Sequence, residues 1–332
     1  MARPAAPSVI RRISASQAFN TWIGESIFML DVTGEQHGLL PGSFGVVRAA
    51  ATGKQDAEQP VGDRSTTGTT SPHARDDCAV SEEQLLVEEA RRARARCIDE
   101  FTPDTLDKVL LITSPSEQGA AAAPALPGAD KEGTLTGAVA SWLRDDCGYA
   151  HVLLVDRGAL ELAFPFLFRP GLAYGDLPFL PNEVLPGRLY LGSRATASAG
   201  ALSLLGITHV VSVIERPVAL PQTTRHLWIP IADEPSEDLD PVLAQALPFM
   251  AEATQEGAAG GRVLVHCARG QSRSVAVVVA YLLQRHSDEY PTLEGALHFV
   301  RGCRSGACPN DGFLAQLTAW AGRERLHHQS SV

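Results

Sequence analysis

Apolar runs alternate with amphipathic stretches along this chain, and the runs are short. Ser26–Val32, Lys108–Thr113 and His151–Val155 read as strands, while Ser16–Trp22 and Leu135–Leu143 read as helices. Strands alternating with helices predict a parallel α/β sheet in the first half. In the second half Leu227–Ile231 and Gly261–Val265 read as strands, and Val275–Leu283 reads as a buried helix. The pattern lapses twice. Residues 51–80 carry Gly, Thr, Ser, Asp and Pro with almost no large apolar side chain, and residues 118–133 are rich in Ala, Gly and Pro. Such stretches bury too little apolar surface to offset their ordering entropy, so both are expected as disordered insertions. Ser81 with Gln84 has the form of a capping box, predicting a helix over Glu82–Cys97 in which Glu88 pairs with Arg92.

Length and charge narrow the picture. A chain of 332 residues suggests two domains. Its net charge of −10 argues against dedicated nucleic-acid binding and against strong attraction to anionic membranes. No apolar run reaches the length of a membrane span. Six cysteines without framework spacing suit a reducing compartment, so a cytoplasmic location is expected. Arg3, Arg11 and Arg12, with no acidic residue before Glu25, leave a mitochondrial-transit pattern as the alternative.

The chemistry concentrates in Val265-His266-Cys267-Ala268-Arg269-Gly270-Gln271-Ser272-Arg273-Ser274. Cys267 falls where a strand ends and a helix begins. The loop between them can turn its N–H groups inward as an anion nest, and the helix dipole adds positive potential. Both favour a thiolate at Cys267 over the inert packing role of a lone buried cysteine. Arg273 supplies a fork that grips phosphate through two hydrogen bonds. Ala268, Arg269, Gly270, Gln271, Ser272 and Arg273 form the expected phosphate-binding loop, and Arg269 reads as a solvated residue at its mouth. Nucleophile, cradle and clamp together describe a cysteine-dependent phosphatase needing no cofactor. Cys303 and Cys308 lack metal-ligand spacing, so no metal is expected.

His-Cys-x-x-Gly-x-x-Arg-Ser resembles the signature of the protein tyrosine phosphatases, and its flanks resemble their dual-specificity branch. Leu185–Gly192 resembles the first strand of that domain, Ile207–Val213 the next, and Pro309–Leu317 the opening of its last helix. The resemblance implies a phosphocysteine intermediate on Cys267, with Arg273 stabilising the transferring phosphoryl group. It implies that Asp233, in Leu227–Pro235, is the general acid; Glu234 and Asp238 are rivals for that role. It also implies that Ser274 assists the departing thiolate, that His266 orients the cysteine and raises its thiolate content, and that Asn310 supports the loop. Nothing resembles the Lys-Asn-Arg-Tyr element that deepens tyrosine-specific pockets, so phosphoserine, phosphothreonine and phosphotyrosine proteins are all expected substrates.

Phe28–Val32 and Phe164-Pro165-Phe166-Leu167, with the order of strands and helices between them, resemble the rhodanese-like domain that precedes the phosphatase in mitogen-activated protein (MAP) kinase phosphatases. The expected fold is α/β throughout: a rhodanese-like domain, then a phosphatase domain with a central sheet flanked by helices. The expected boundaries are a flexible N-terminus at 1–15, the first domain at 16–172, a linker at 173–182, the phosphatase at 183–325 and a tail at 326–332. Ser114–Gln118 has no cysteine where a working rhodanese carries its sulfur, so the first domain is expected to be noncatalytic. MAP kinases are expected partners, with Arg91, Arg92 and Arg94 as candidate docking residues and Arg11-Arg12 as a weaker pair. The two-domain layout and Cys303–Asn310 resemble the serine/threonine/tyrosine-interacting-like pseudophosphatases, in which the His-Cys pair is replaced; here His266 and Cys267 are present. A scaffold that binds phosphoproteins with little turnover, and a phosphoinositide or other non-protein phosphatase, are the alternatives.

Overall fold

The computed structural model describes residues 9–24, 28–31, 44–45, 84, 87–88, 90–92, 108–113, 135–147, 149–169, 172, 176–255 and 260–330. The stretches expected as insertions, 51–80 and 118–133, lie outside the described residues, as do Arg94 and Ser114–Gln118.

The described residues of the first half form one five-stranded parallel sheet. Its strands are β1 (Val9–Arg12), β2 (Phe28–Asp31), β3 (Phe44–Gly45), β4 (Lys108–Thr113) and β5 (His151–Asp156), in the order β1-β5-β4-β2-β3. Its helices are α1 (Ala15–Gly24), α2 (Leu135–Asp145) and α3 (Arg157–Ala163). The middle strand β4 is buried over Val109–Thr113, as expected where helices cover both faces. Val109 and Leu111 pack with Val139 and Leu143 of α2, whereas Leu110 and Ile112 face Phe19 of α1 and Leu160 of α3. One expectation is corrected: residues 9–12, expected within a flexible N-terminus, form β1. Four backbone partners on β5, from Val9 with His151 to Arg12 with Leu154, tie it to the sheet edge.

The second half is a sheet of β6 (Asn182–Leu185), β7 (Leu189–Ser193), β8 (His209–Val213), β9 (Arg225–Ile229) and β10 (Val263–Cys267), in the order β6-β7-β10-β8-β9. Among the described residues, only β6 is antiparallel to its neighbour. The run Leu185–Gly192, expected as one strand, is split between β6 and β7 by a turn in which Gly187 has φ of 64°. Helices α5 (Asp240–Gln255), α6 (Arg273–Arg285), α7 (Leu293–Cys303) and α8 (Asp311–Ser330) belong to the face carrying Val211, Val263 and Val265. The opposite face, with Tyr190, Val210 and Leu264, packs with Leu202 and Leu205 of α4 (Ala199–Leu205). Residues 273–282 of α6 are all buried, which explains the unbroken apolar run Val275–Ala280.

The halves are not separate beads. Ala18, Phe19 and Trp22 of α1 belong to the same apolar cluster as Tyr190, Leu202, Leu205 and Leu264 of the second half. At the outer edge of β6, Asn20 donates to Glu183 O at 2.7 Å and accepts from Glu183 N at 2.8 Å. This side chain completes the backbone pairing that an edge strand otherwise leaves open.

Candidate active site

β10 lies at the centre of the second sheet, parallel to β7 and β8, and its last residue is Cys267. The carboxyl end of a central parallel strand opens onto a crevice, the usual position of ligand sites in α/β sheets. Residues 268–272 then turn the chain into α6. Gly270 has φ of +70°, and a Cβ there would meet Gly192 O at 2.5 Å, so the turn requires glycine.

Cys267 is buried, and its Sγ accepts from Gly270 N at 3.1 Å and from Ser274 Oγ at 3.2 Å. Burial pushes the thiol pKa up. The Ser274 hydroxyl and the N–H groups of Ser274, Gln271 and Gly270 outweigh that and hold it below the ordinary cysteine value.

Arg273 opens α6, its side chain only 5% exposed. Its Nη1 donates to Ile231 O at 2.9 Å and pairs with the Glu215 carboxylate at 2.7 Å; its Nε lies 3.8 Å from Asp233 Oδ2. Hydrogen bonding from Arg273 holds the Glu215 carboxyl below its usual pKa. Arg273 Nε is buried with no hydrogen-bond partner, which leaves a donor for a bound anion.

Asp233 follows β9 and Ile231. Its Oδ1 accepts from Ser272 Oγ at 2.5 Å and from Asn310 Nδ2 at 3.0 Å. Asn310 N–H donates to Ser272 Oγ, and Asn310 Oδ1 accepts from Phe313 N at the start of α8. Asn310 therefore joins helix, acid loop and phosphate loop. A Cβ on Gly312 would meet Pro235 O at 2.0 Å, so glycine lets the acid loop lie directly on α8. Of the rivals, Asp238 accepts from Asp240 N at the entry to α5, and the Glu234 carbonyl accepts from Glu237 N. Of these three, Asp233 accepts from Ser272 and lies beside Arg273.

His266 directly precedes the nucleophile. It is fully buried; Nε2 is 2.6 Å from Ser212 Oγ and Nδ1 is 3.4 Å from Cys267 O. Burial lowers its pKa to about 4, so the ring is neutral at physiological pH and supplies no charge to the thiolate. Ala268 and Arg269 are exposed at the mouth of the loop, as is Gln271. Far from the loop on the chain, Arg91 and Arg92 lie on a helix and pair with Glu88 at 3.0 and 3.7 Å.

Sequence reasoning missed Glu215, Ser212 and Arg304. Arg304 follows α7 and donates from Nε to Gly270 O at 2.8 Å and from Nη2 to Arg269 O at 3.0 Å. The signal for Glu215 was a charged residue two positions past the apolar β8, at the carboxyl end of the sheet.

Residues 189–323 match the family description "Dual specificity phosphatase, catalytic domain". Human "Dual specificity protein phosphatase 22" is 39% identical over 137 residues, covering 41% of this chain and 71% of that protein. "Dual specificity protein phosphatase 1" of Arabidopsis thaliana is 39% identical over 141 residues, covering 42% of this chain and 67% of that protein. The solved human "tyrosine phosphatase-like serine/threonine/tyrosine-interacting protein" is 30% identical, with a TM-score of 0.40, and covers 43% of this chain and 96% of that one.

Proposed function

We propose a division of chemical labour for this chain, which belongs to the dual specificity phosphatase family. It is a cysteine-dependent protein tyrosine/serine/threonine phosphatase, a hydrolase acting on phosphoproteins. In the proposed first step the Cys267 thiolate attacks phosphorus, an S–P bond forms, and the ester P–O bond breaks. Asp233 gives its proton to the departing oxygen. Its Oδ1 is occupied by two donors, leaving Oδ2 to carry that proton. Arg273 and the inward N–H groups of the loop bind the phosphoryl oxygens and stabilise the charge that develops on them. In the second step Asp233 takes a proton from water, the resulting hydroxide attacks phosphorus, and the S–P bond breaks to release inorganic phosphate. Ser274 stabilises the thiolate as it leaves. The observation carrying this reading is the Cys267 sulfur held between the Gly270 N–H and the Ser274 hydroxyl.

The test is single-turnover hydrolysis of p-nitrophenyl phosphate. A burst that disappears in Cys267→Ser and slows in Asp233→Ala is the expected result. Turnover in Cys267→Ser equal to that of the parent chain would overturn it. A parent chain that binds phosphopeptide without turnover would favour the scaffold reading, and faster turnover of inositides than of phosphopeptides the lipid reading.

The first half is proposed to be a noncatalytic rhodanese-like domain, a reading supported by its parallel sheet and by the absence of cysteine from Ser114–Gln118. MAP kinases are the proposed substrates, on the resemblance of the two-domain layout. A cytoplasmic location is proposed from the cysteine usage; no described helix is long and apolar enough to cross a membrane.

A further inference from the structure

The loop after β10 presents its N–H groups to Cys267, and something must hold its peptide units in that sense. A peptide unit is planar, with its C=O and N–H pointing opposite ways. The unit joining Arg269 to Gly270 donates its N–H to Cys267 Sγ at 3.1 Å and accepts from Arg304 Nη2 at its C=O at 3.0 Å. The next unit, joining Gly270 to Gln271, turns its N–H to the same sulfur and accepts from Arg304 Nε at 2.8 Å. One guanidinium thus holds from behind the two peptide units that face the nucleophile.

Arg304 is itself held. Its Nη1 donates to Asn182 Oδ1 at 2.7 Å, and Asn182 is 4% exposed. The next residue, Glu183, is clamped at both backbone groups by Asn20 of α1, and its carboxylate accepts from Ser16 Oγ, Gly187 N and Tyr190 Oη. Contacts run without a gap from α1 of the first half, through β6, to Arg304 and the catalytic loop.

We propose that Arg304 and Asn182 are positioning residues for the phosphatase reaction, and that α1 of the first half, through Asn20 and Glu183, holds them in place. The noncatalytic half thereby acts as an internal brace on the phosphate-binding loop. Bracing deepens the phosphatase reading but concerns the thiol environment, which is measurable without turnover.

The experiment follows the pH dependence of Cys267 alkylation by iodoacetamide, beside kcat/KM on p-nitrophenyl phosphate, in the full chain. Cys267→Ser identifies the alkylated residue. Asn182→Ala is expected to move the alkylation midpoint to higher pH and lower kcat/KM about tenfold, while Asn182→Asp, which keeps an oxygen for Nη1, restores both. Asn20→Ala is expected to shift both in the same direction by less, and Asn20→Ala with Asn182→Ala to give less than the product of the single effects. Ser16→Ala, which leaves Phe19 and Trp22 packed, substitutes if Asn20→Ala fails to fold by near-ultraviolet circular dichroism. An unmoved midpoint and unchanged kcat/KM in folded Asn182→Ala would overturn the positioning role. Effects in Asn182→Ala with none in folded Asn20→Ala or Ser16→Ala would overturn the brace. A normal midpoint shift without turnover in the parent chain would keep the brace and sink the catalytic reading.

Discussion

The two halves of this chain share a plan and differ in the residue that ends the middle strand, Thr113 in one and Cys267 in the other. β4 and β10 each occupy the centre of a five-stranded sheet and run parallel to both neighbours. β10 ends in Cys267, and the loop after it turns its N–H groups to the sulfur. β4 ends in Thr113, whose hydroxyl donates to Val155 O of the adjacent strand. At one strand end the side chain meets an N–H of the loop that follows, and at the other it is bonded to a carbonyl of its own sheet. A parallel sheet supplies the position for a site, and the loop supplies the chemistry. Among the described residues the first half meets the second through the packing of Ala18, Phe19 and Trp22.

The largest test of this contrast is Gly270→Ala. The new Cβ would need a φ of +70° and would meet Gly192 O at 2.5 Å, so the peptide unit must rotate and withdraw its N–H from Cys267. We expect kcat/KM on p-nitrophenyl phosphate to fall by about 100-fold or more, with near-ultraviolet circular dichroism little changed. Retention of most activity would mean that the loop tolerates other backbone paths and that the contrast with β4 rests on Cys267 alone.

The next effect concerns stability. The buried neutral His266 has a pKa of about 4, against about 6.5 for histidine in an unfolded chain. The unfolded state therefore binds a proton that the folded state refuses. The neutral ring's contribution is fully present above the unfolded pKa and is lost as pH falls from about 6.5 toward 4. Between pH 7 and pH 5 the parent chain should lose about 2 kcal/mol more than His266→Asn, read from urea unfolding at both values. Equal losses would show that the fold does not disfavour the protonated His266 ring.

Features of this molecule are legible in its sequence to the extent that they are local. Cys267, Gly270, Arg273 and Ser274 share one strand–loop–helix turn, so their spacing alone described a phosphate cradle. Asp233 stood among Glu234 and Asp238 because the deciding contacts come from Ser272 and from Asn310, 77 positions further on. Arg304 meets Asn182 across 122 positions, a pairing that no local pattern carries. Ser212 meets His266 on a neighbouring strand, and Glu215 meets Arg273 of α6, in the same way. β1 was hidden because Val9-Ile10-Arg11-Arg12 does not alternate; its strand character comes from pairing with β5. The brace between the halves was illegible for a similar reason, since Asn20 and Ser16 read as ordinary polar positions on a short helix.

The smallest expected effect bears on the first half alone. If that half served as a kinase-docking module, Arg91 and Arg92 would be its prime residues. Both side chains are exposed, both pair with Glu88, and the Arg91 guanidinium lies 5.9 Å from the centre of the Trp142 ring. Exposed helical ion pairs of this kind are worth about 0.5 kcal/mol or less, and they occupy the donors that a docking groove would have to take over. We therefore expect Arg91→Ala with Arg92→Ala to leave turnover of p-nitrophenyl phosphate unchanged. On a phosphorylated MAP kinase, KM should move by less than about twofold, in keeping with surface charges remote from the reaction. A large rise in KM for the kinase alone would give the first half a recognition surface of its own. The contrast would then lie between a half that binds and a half that cuts, instead of between a brace and the loop it holds.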